Sequence, residues 1–223
     1  MKYYKSLTEF NCGVDLHAEQ MYICVMDREG KILVHCNIKG NDLEFFFQKL
    51  APYRHSLTVC CECIFNWYFL ADACQAEGIT FVLAHALYLK LIHGGKNKND
   101  RIDSEKLAHL LRANLIPPSY VYPKEKRPVR GLLRQRMAYV WRRSELLMRV
   151  QINQIAEGHA PVPKGGKNRD TWEGRLKELP RHPLHHFTAE VDLHMIREYD
   201  LMIQKLETEL LRVTKRDSWK EFN

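Results

Sequence analysis

The chain has 223 residues, of which 45% are hydrophobic and 27% are charged, as in folded proteins and unlike disordered ones. No apolar run approaches the ~20 residues of a membrane-spanning helix, and the first ten residues contain no apolar core of a secretory signal. Seven cysteines without an export signal predict reduced thiols and a cytoplasmic location. A membrane protein and a secreted disulfide scaffold are therefore excluded.

The net charge of +7 is concentrated in the middle of the chain. Residues 90–150 carry a net charge of +10, whereas residues 1–89 carry −3 and residues 151–223 are neutral in sum. A concentrated basic block is expected of a protein that binds the phosphate backbone of nucleic acid. A solvated helical face has the same composition, so the charge leaves both interpretations open.

Alternating strand and helix patterns occupy the first 90 residues. Gly30 supplies the positive φ of a tight turn, so the strands on either side of it are antiparallel neighbours. Later strands are separated by helices, which makes them parallel and places the helices on the sheet faces. We therefore predict an α/β fold, a mixed sheet with flanking helices. Its strands are 11–17, 22–27, 32–38, 57–63 and 79–84, and its helices are 42–50 and 65–77.

A helix follows from Asp100 to about residue 112, and the pattern changes after Pro128. Two long amphipathic segments then predict the arms of a helical hairpin or coiled coil, which pair either within one chain or between chains. We divide the chain into an α/β domain over 1–118 and a helical region over 119–223. The two predicted apolar stripes are Leu133, Met137, Val140, Ser144, Leu147, Gln151 and Ile155, and Val191, Met195, Tyr199, Met202, Leu206, Leu210 and Val213.

Four carboxylates occupy distinctive places in this pattern. Asp15 ends the first strand, Glu62 ends the fourth, and a helix begins with Asp100 and Asp103. All four converge on one cleft if the first and fourth strands are neighbours and the helix crosses the sheet. Converging like charges need a cation, and oxygen ligands suit Mg²⁺ or Mn²⁺, two of which can act on a phosphodiester. Singly, each residue also suits a turn, a strand end or a helix cap.

Three segments resemble the DEDD transposases, a family of insertion-sequence recombinases that are guided by a bridge RNA. They are GVDLH at 13–17, CEC at 61–63 and KNKNDRIDSEKLA at 96–108. The most specific of the three is the N-D-R-x-D-x-x-x-L-A pattern that begins at Asn99. The motifs cover about residues 11–115, and the helical architecture extends the resemblance to about residue 213.

The resemblance implies an RNase H-like (RuvC-like) fold with a divalent-metal site, followed by a coiled coil for homo-oligomer assembly. It implies that Asp15, Glu62, Asp100 and Asp103 are the catalytic, metal-binding tetrad, and that the chain acts in DNA transposition with a structured guide RNA. The family carries a serine nucleophile in a C-terminal domain, and this sequence stops at Asn223, where that domain would begin. We therefore expect a chain without the serine domain, whose activity on its own stays open.

Basic residues near the carboxylates and along the first long helix are candidates for nucleic-acid contact. On the helix, arginines are interleaved with Tyr139 and Trp141, a combination that suits backbone contact and base stacking. The exterior of a coiled coil carries similar arginines, so both interpretations stay open. The candidates are Lys96, Lys98, Arg101, Arg130, Arg134 and Arg142, and the helix also carries Arg127, Arg136, Arg143 and Arg149.

Two further functions remain compatible with the sequence. One is a non-catalytic module that binds nucleic acid and dimerises, and the other is a RuvC-like nuclease that cuts DNA junctions. Cys60, Cys61 and Cys63 flank Glu62 and raise the alternative of zinc. They lack the paired spacing of zinc ligands, and neighbouring strand residues point to opposite faces, so buried strand cysteines are favoured.

Overall fold

A computed structural model describes residues 2–63, 66–92, 99–160, 174 and 182–216. The chain divides into two compact units, residues 1–124 and residues 125–223. The first unit contains strands β1 (Phe10–Leu16), β2 (Gln20–Met26), β3 (Ile32–Lys39), β4 (Leu57–Glu62) and β5 (Thr80–Ala84), and helices α1 (Leu43–Leu50), α2 (Tyr68–Ala76), α3 (Ala86–Ile92) and α4 (Asp100–Arg112). The second contains helices α5 (Arg127–Ala156) and α6 (Pro183–Arg216).

The five strands form one sheet in the order β3-β2-β1-β4-β5. Strand β2 pairs antiparallel with both β1 and β3. Strand β4 pairs parallel to β1, and β5 pairs parallel to β4. The Gly30 turn, with φ of 89°, joins β2 to β3 as predicted. This topology confirms the predicted mixed sheet with flanking helices and makes β1 and β4 central neighbours.

Side chains alternate along the central strands and enter two different cores. Cys61 packs with Phe46 and Leu70, which belong to α1 and α2, and Cys60 packs with Leu107 of α4. The two cysteines therefore lie on opposite faces, as predicted. Burial raises the pKa of both thiols.

Capping residues fix the ends of the two helices that matter for the site. The Asp42 carboxylate accepts a hydrogen bond from the amide of Phe45 and caps α1. Asn99 caps α4 by accepting a hydrogen bond from the amide of Arg101 at 3.1 Å. Asp100 is therefore the first residue of the helix, and its carboxylate is not the cap.

Helices α5 and α6 pair with each other within the chain. Val150 of α5 packs against Leu193 and Ile196 of α6. Three arginine–carboxylate pairs run along the same seam, and because residue numbers rise on one helix as they fall on the other, the helices are antiparallel. The pairs are Arg136–Glu207, Arg143–Asp200 and Arg149–Asp192.

The predicted apolar stripes were only partly right. Seven of the fourteen stripe residues are exposed, and the other seven are half-buried: Val140, Leu147, Gln151, Tyr199, Leu206, Leu210 and Val213. The described residues of the two helices that are buried lie beside the predicted stripes and not in them: Val150, Gln154, Asp192, Leu193, Ile196 and Ile203. The exposed apolar residues of the two helices include Leu133, Met137, Trp141, Met148, Ile152, Ile155, Leu184, Phe187, Val191, Met195, Leu201 and Met202.

The hydropathy and length of each helix show whether it could span a membrane. Within the part of the chain that the structure describes, no helix combines the length and the apolar character needed to cross a bilayer.

Candidate metal centre

A glycine on β1 lets helix α4 lie directly on the sheet. A Cβ atom built on Gly13 would overlap the main-chain carbonyl oxygen of Ser104 and the amide nitrogen of Ala108, and would lie 2.8 Å from the Cβ of Leu107. Only glycine allows backbones to approach so closely. This contact sets the first turn of α4 over the end of β1.

The register of the two central strands brings two of the four carboxylates side by side. Gly13 pairs with Cys60, and Val14 pairs with Cys61. One residue further along, Asp15 is level with Glu62. By alternation both lie on the face that Gly13 presents to α4, at the edge where both strands end.

Asp15 and Asp100 meet at this edge with His17 between them. The Nε2 atom of His17 lies 3.1 Å from Oδ2 of Asp15 and 3.4 Å from Oδ1 of Asp100. Three ligand atoms, one from each residue, lie within 4.8 Å of one another and are the group that could hold a metal ion among the described residues. Two carboxylate oxygens and one imidazole nitrogen are a donor set that fits a divalent ion.

Neighbouring amides hold the Asp100 carboxylate in place. The side-chain amide of Gln20 on β2 donates to Oδ2 of Asp100 at 3.2 Å. Asn37 on β3 in turn donates to Oε1 of Gln20 at 2.9 Å. This relay occupies one oxygen of Asp100 and leaves the other directed at His17.

The environment of Asp15 changes its acidity. Burial raises the pKa of Asp15, His17 opposes this through its charge and hydrogen bond, and the charges of Asp100 and Asp103 raise it further. The Asp15 side chain is only 18% exposed, whereas the Asp100 side chain is 41% exposed. A bound cation would therefore reduce the repulsion between these carboxylates.

The other two predicted ligands have different surroundings. Asp103 forms an ion pair with Lys106 on the next turn of α4, with 3.0 Å between Nζ and Oδ1. Glu62 is half-buried at the end of β4, and its charge adds to burial in raising the pKa of Cys60. Among the described residues, the close ligand group contains neither Asp103 nor Glu62. Their assignment as ligands stays a prediction.

The predicted nucleic-acid contacts fall into three groups. Arg101 is exposed on the first turn of α4, where its main-chain oxygen contacts Nε2 of His35 at 3.0 Å. Lys96 and Lys98 lie outside the described residues. On α5 of the second unit, Arg134 and Arg142 are exposed and Arg130 is half-buried; all six assignments stay predictions.

Sequence reasoning gave too little weight to several polar residues at the site. The motif at 13–17 contained His17, but its role depends on where Asp100 lies in space. Gln20, Asn37, Asn41 and Asn66 carried no sequence signal because single amides in strands and turns are common.

The chain matches a known protein family. The family model for the IS110-type DEDD transposases, described as a transposase, matches residues 12–155. No curated protein matches the chain. A solved structure, the large terminase nuclease from the thermophilic phage G20c with bound zinc, is 14% identical to it. The alignment covers 52% of this chain and 86% of the terminase chain, with a TM-score of 0.34.

The mixed sheet and the carboxylates at its edge define an α/β protein with a candidate metal centre. The matched residues span well over half of the chain and include Asp15, Glu62, Asp100 and Asp103. The chain belongs to the DEDD transposase family of the IS110 type.

Proposed function

We propose that this chain carries the metal-dependent centre of an RNA-guided transposase that acts on the phosphodiesters of DNA. The observation that supports the proposal is the close approach of Asp15 and Asp100, which come from distant parts of the sequence. Their oxygens lie within 4.8 Å of one another, together with His17. Uncompensated carboxylates at this spacing repel one another, so an arrangement held by surrounding amides favours a cation-binding role.

Asp15 and Asp100 hold the ion in this proposal, and Glu62 and Asp103 complete the tetrad. Mg²⁺ or Mn²⁺ bound there would polarise a phosphodiester and activate the attacking oxygen. Asp15 fixes the position of the ion because its strand is central and its side chain is largely buried. Lys106 compensates the charge of Asp103 before the substrate arrives.

Nucleic acid binds through the basic residues in this proposal. Lys96, Lys98 and Arg101 adjoin the carboxylates in sequence and would hold the DNA backbone against the centre. Arg130, Arg134 and Arg142 on α5 would contact DNA or the guide RNA. The positive charge concentrated between residues 90 and 150 supports this assignment.

A second copy of the chain is proposed to cover the exposed apolar residues of α5 and α6. Trp141 is 66% exposed and Met148 is 60% exposed, although each lies on a long helix of an otherwise well-paired hairpin. Apolar surface of this kind marks an association site. Trp141→Glu should shift the protein toward the monomer in light scattering, whereas Arg142→Glu, a neighbouring exposed position, should not.

Metal-dependent cleavage and metal binding test the centre together. Purified protein is titrated with Mn²⁺ by calorimetry, then incubated with element-end DNA, with and without RNA transcribed from the element's flank. Asp15→Asn and Asp100→Asn should abolish cleavage and weaken Mn²⁺ binding by at least about tenfold, the scale of losing a ligand or its support. Glu44→Gln, an exposed acidic residue on α1, is the matched control and should change neither.

The alternatives give different results in the same experiment. Steeply salt-dependent binding of nucleic acid without Mn²⁺ uptake or cleavage would identify a binding module. Cleavage of four-way junctions in the absence of RNA would identify a junction nuclease. Mn²⁺ uptake that is unchanged in Asp15→Asn and Asp100→Asn would overturn the proposed centre.

A further inference from the structure

We infer that His17 binds the ion through Nε2 together with Asp15 and Asp100, and that this nitrogen makes the centre prefer Mn²⁺, Co²⁺ or Zn²⁺ over Mg²⁺. The inference rests on the metal centre proposed above and goes beyond it. It adds a ligand that lies outside the acidic tetrad, and it changes the expected metal.

The spacing of the three atoms is the first argument. Nε2 of His17 lies 3.1 Å from Oδ2 of Asp15 and 3.4 Å from Oδ1 of Asp100. Two ligands bound at about 2.1 Å from one ion are separated by about 3.0 Å at a right angle and about 3.4 Å at the tetrahedral angle. The nitrogen therefore has the separation from each oxygen that ligands of one ion have.

The main chain of His17 is held from several elements, although its side chain is 47% exposed. Its amide donates to the carbonyl oxygen of Gln20 at 2.8 Å. Its carbonyl oxygen accepts hydrogen bonds from the side-chain amides of Asn66 at 2.7 Å and Asn41 at 3.1 Å. The main chain that carries the imidazole is therefore held in place at the end of β1. Surrounding hydrogen bonds support metal ligands in the same way.

Side-chain amides also hold the second ligand, Asp100. Gln20 occupies Oδ2 of Asp100, so that Oδ1 is the oxygen directed at His17. Asn37 fixes Gln20 in turn. The amides therefore hold the main chain of His17 and orient the carboxylate of Asp100.

The metal preference follows from the chemistry of nitrogen. Mg²⁺ takes oxygen ligands and gives up water reluctantly, whereas imidazole suits the divalent ions later in the first transition row. Imidazole binds such ions through the lone pair of a ring nitrogen. A centre with two carboxylate oxygens and one imidazole nitrogen therefore binds Mn²⁺, Co²⁺ or Zn²⁺ more tightly than it binds Mg²⁺.

The alternative role for His17 makes the opposite prediction. If His17 only donates a hydrogen bond to the two carboxylates, it occupies the place of the ion and competes with it. Removing the imidazole would then tighten metal binding. The sign of the change in affinity therefore separates a ligand from a competitor.

The experiment compares the full chain with His17→Gln and His17→Ala. Mn²⁺, Co²⁺ and Mg²⁺ affinities are measured by calorimetry, and pulsed electron paramagnetic resonance of bound Mn²⁺ detects a directly bound nitrogen. His109→Ala is the matched control, because His109 is 44% exposed and also lies near a carboxylate, with 3.9 Å between its Nε2 and Oε1 of Glu105. Thermal unfolding of the metal-free proteins checks that all the variants fold.

Both His17 variants should bind Mn²⁺ and Co²⁺ at least about tenfold more weakly, change Mg²⁺ affinity by less than about threefold, and lose the nitrogen signal. Unchanged or tighter Mn²⁺ binding, or wild-type Mn²⁺ without a nitrogen signal, would overturn the inference. The proposed centre would still stand in that case if Asp100→Asn abolished Mn²⁺ binding. Wild-type protein that binds no Mn²⁺ would overturn the inference and the proposed centre together.

Discussion

Gly13 on β1 and Ser104 on α4 are in direct main-chain contact, so that a Cβ atom on Gly13 would overlap the carbonyl oxygen of Ser104. Ser104 itself is fully buried. The contact fixes how far α4 lies from the sheet, and thereby where the first turn of α4 carries Asp100. The geometry of the candidate centre therefore depends on a residue that has no functional group.

Gly13→Ala should destabilise the protein by about 3 kcal/mol, the upper range for overpacking, because the new methyl group meets main-chain atoms that cannot rotate away. Urea unfolding followed by circular dichroism measures the change. Gly131→Ala on α5 is the control: nothing lies within 4 Å of its built Cβ, so this substitution should stabilise its helix by about 0.5–1 kcal/mol. An unaltered midpoint for Gly13→Ala would contradict the tight contact between α4 and β1.

Asp15→Asn should make the metal-free protein more stable at neutral pH. Burial raises the pKa of Asp15 above its ordinary value, so the folded state holds this proton more tightly than the unfolded state does. The stability of the wild type therefore falls as the pH rises through that raised value, and the penalty is complete above it.

Melting curves across pH measure this effect. The advantage of Asp15→Asn should be largest near neutral pH and vanish by about pH 3, where the wild-type carboxyl is mostly protonated in both states. Saturating Mn²⁺ should raise the melting temperature of the wild type more than that of the variant. A stabilisation that persists at low pH would show that the substitution does not act by removing the charge of Asp15.

Gln20→Ala should weaken Mn²⁺ binding by about tenfold, because supporting residues of this kind hold a ligand in its binding orientation. Asn37→Ala should have a smaller effect in the same direction, since it acts through Gln20. Calorimetry gives both affinities, and the double variant should be no weaker than Gln20→Ala alone. Additive losses would mean that the two amides act independently and that the relay is not a unit.

Asp192→Ala should destabilise the pairing of α5 and α6 by about 1 kcal/mol, because it removes the carboxylate that accepts from Arg149, while the Arg149 side chain is 59% exposed and stays hydrated. The Asp192 side chain is 6% exposed and accepts from Nε of Arg149 at 2.8 Å. Glu190→Ala, at an exposed position two residues earlier, is the control and should change stability by less than about 0.5 kcal/mol. Thermal unfolding measures the stability of both variants. Equal losses of stability would contradict the idea that the Arg149–Asp192 pair stabilises the pairing of the two helices.

Local patterns were enough to predict most of the fold. The Gly30 turn required β2 and β3 to be antiparallel, and the strand–helix–strand order from β4 to β5 required a parallel pair. The long helices were also predictable from their periodicity, but their contact faces were not. Arg136 and Arg143 form ion pairs across the seam, and a pattern of apolar residues alone does not include them.

The sequence by itself determined the antiparallel pairing of β2 with β3, the parallel pairing of β4 with β5, and the presence of carboxylates where β1 and β4 end and α4 begins. These features depend on nearest neighbours along the chain and on the handedness of connections, which act over short stretches. Only the tertiary structure decided that His17 and Gln20 join Asp100 at the centre, while Asp103 pairs with Lys106 instead. Those contacts depend on the distance between α4 and the sheet, which Gly13 fixes through packing between residues about 90 positions apart.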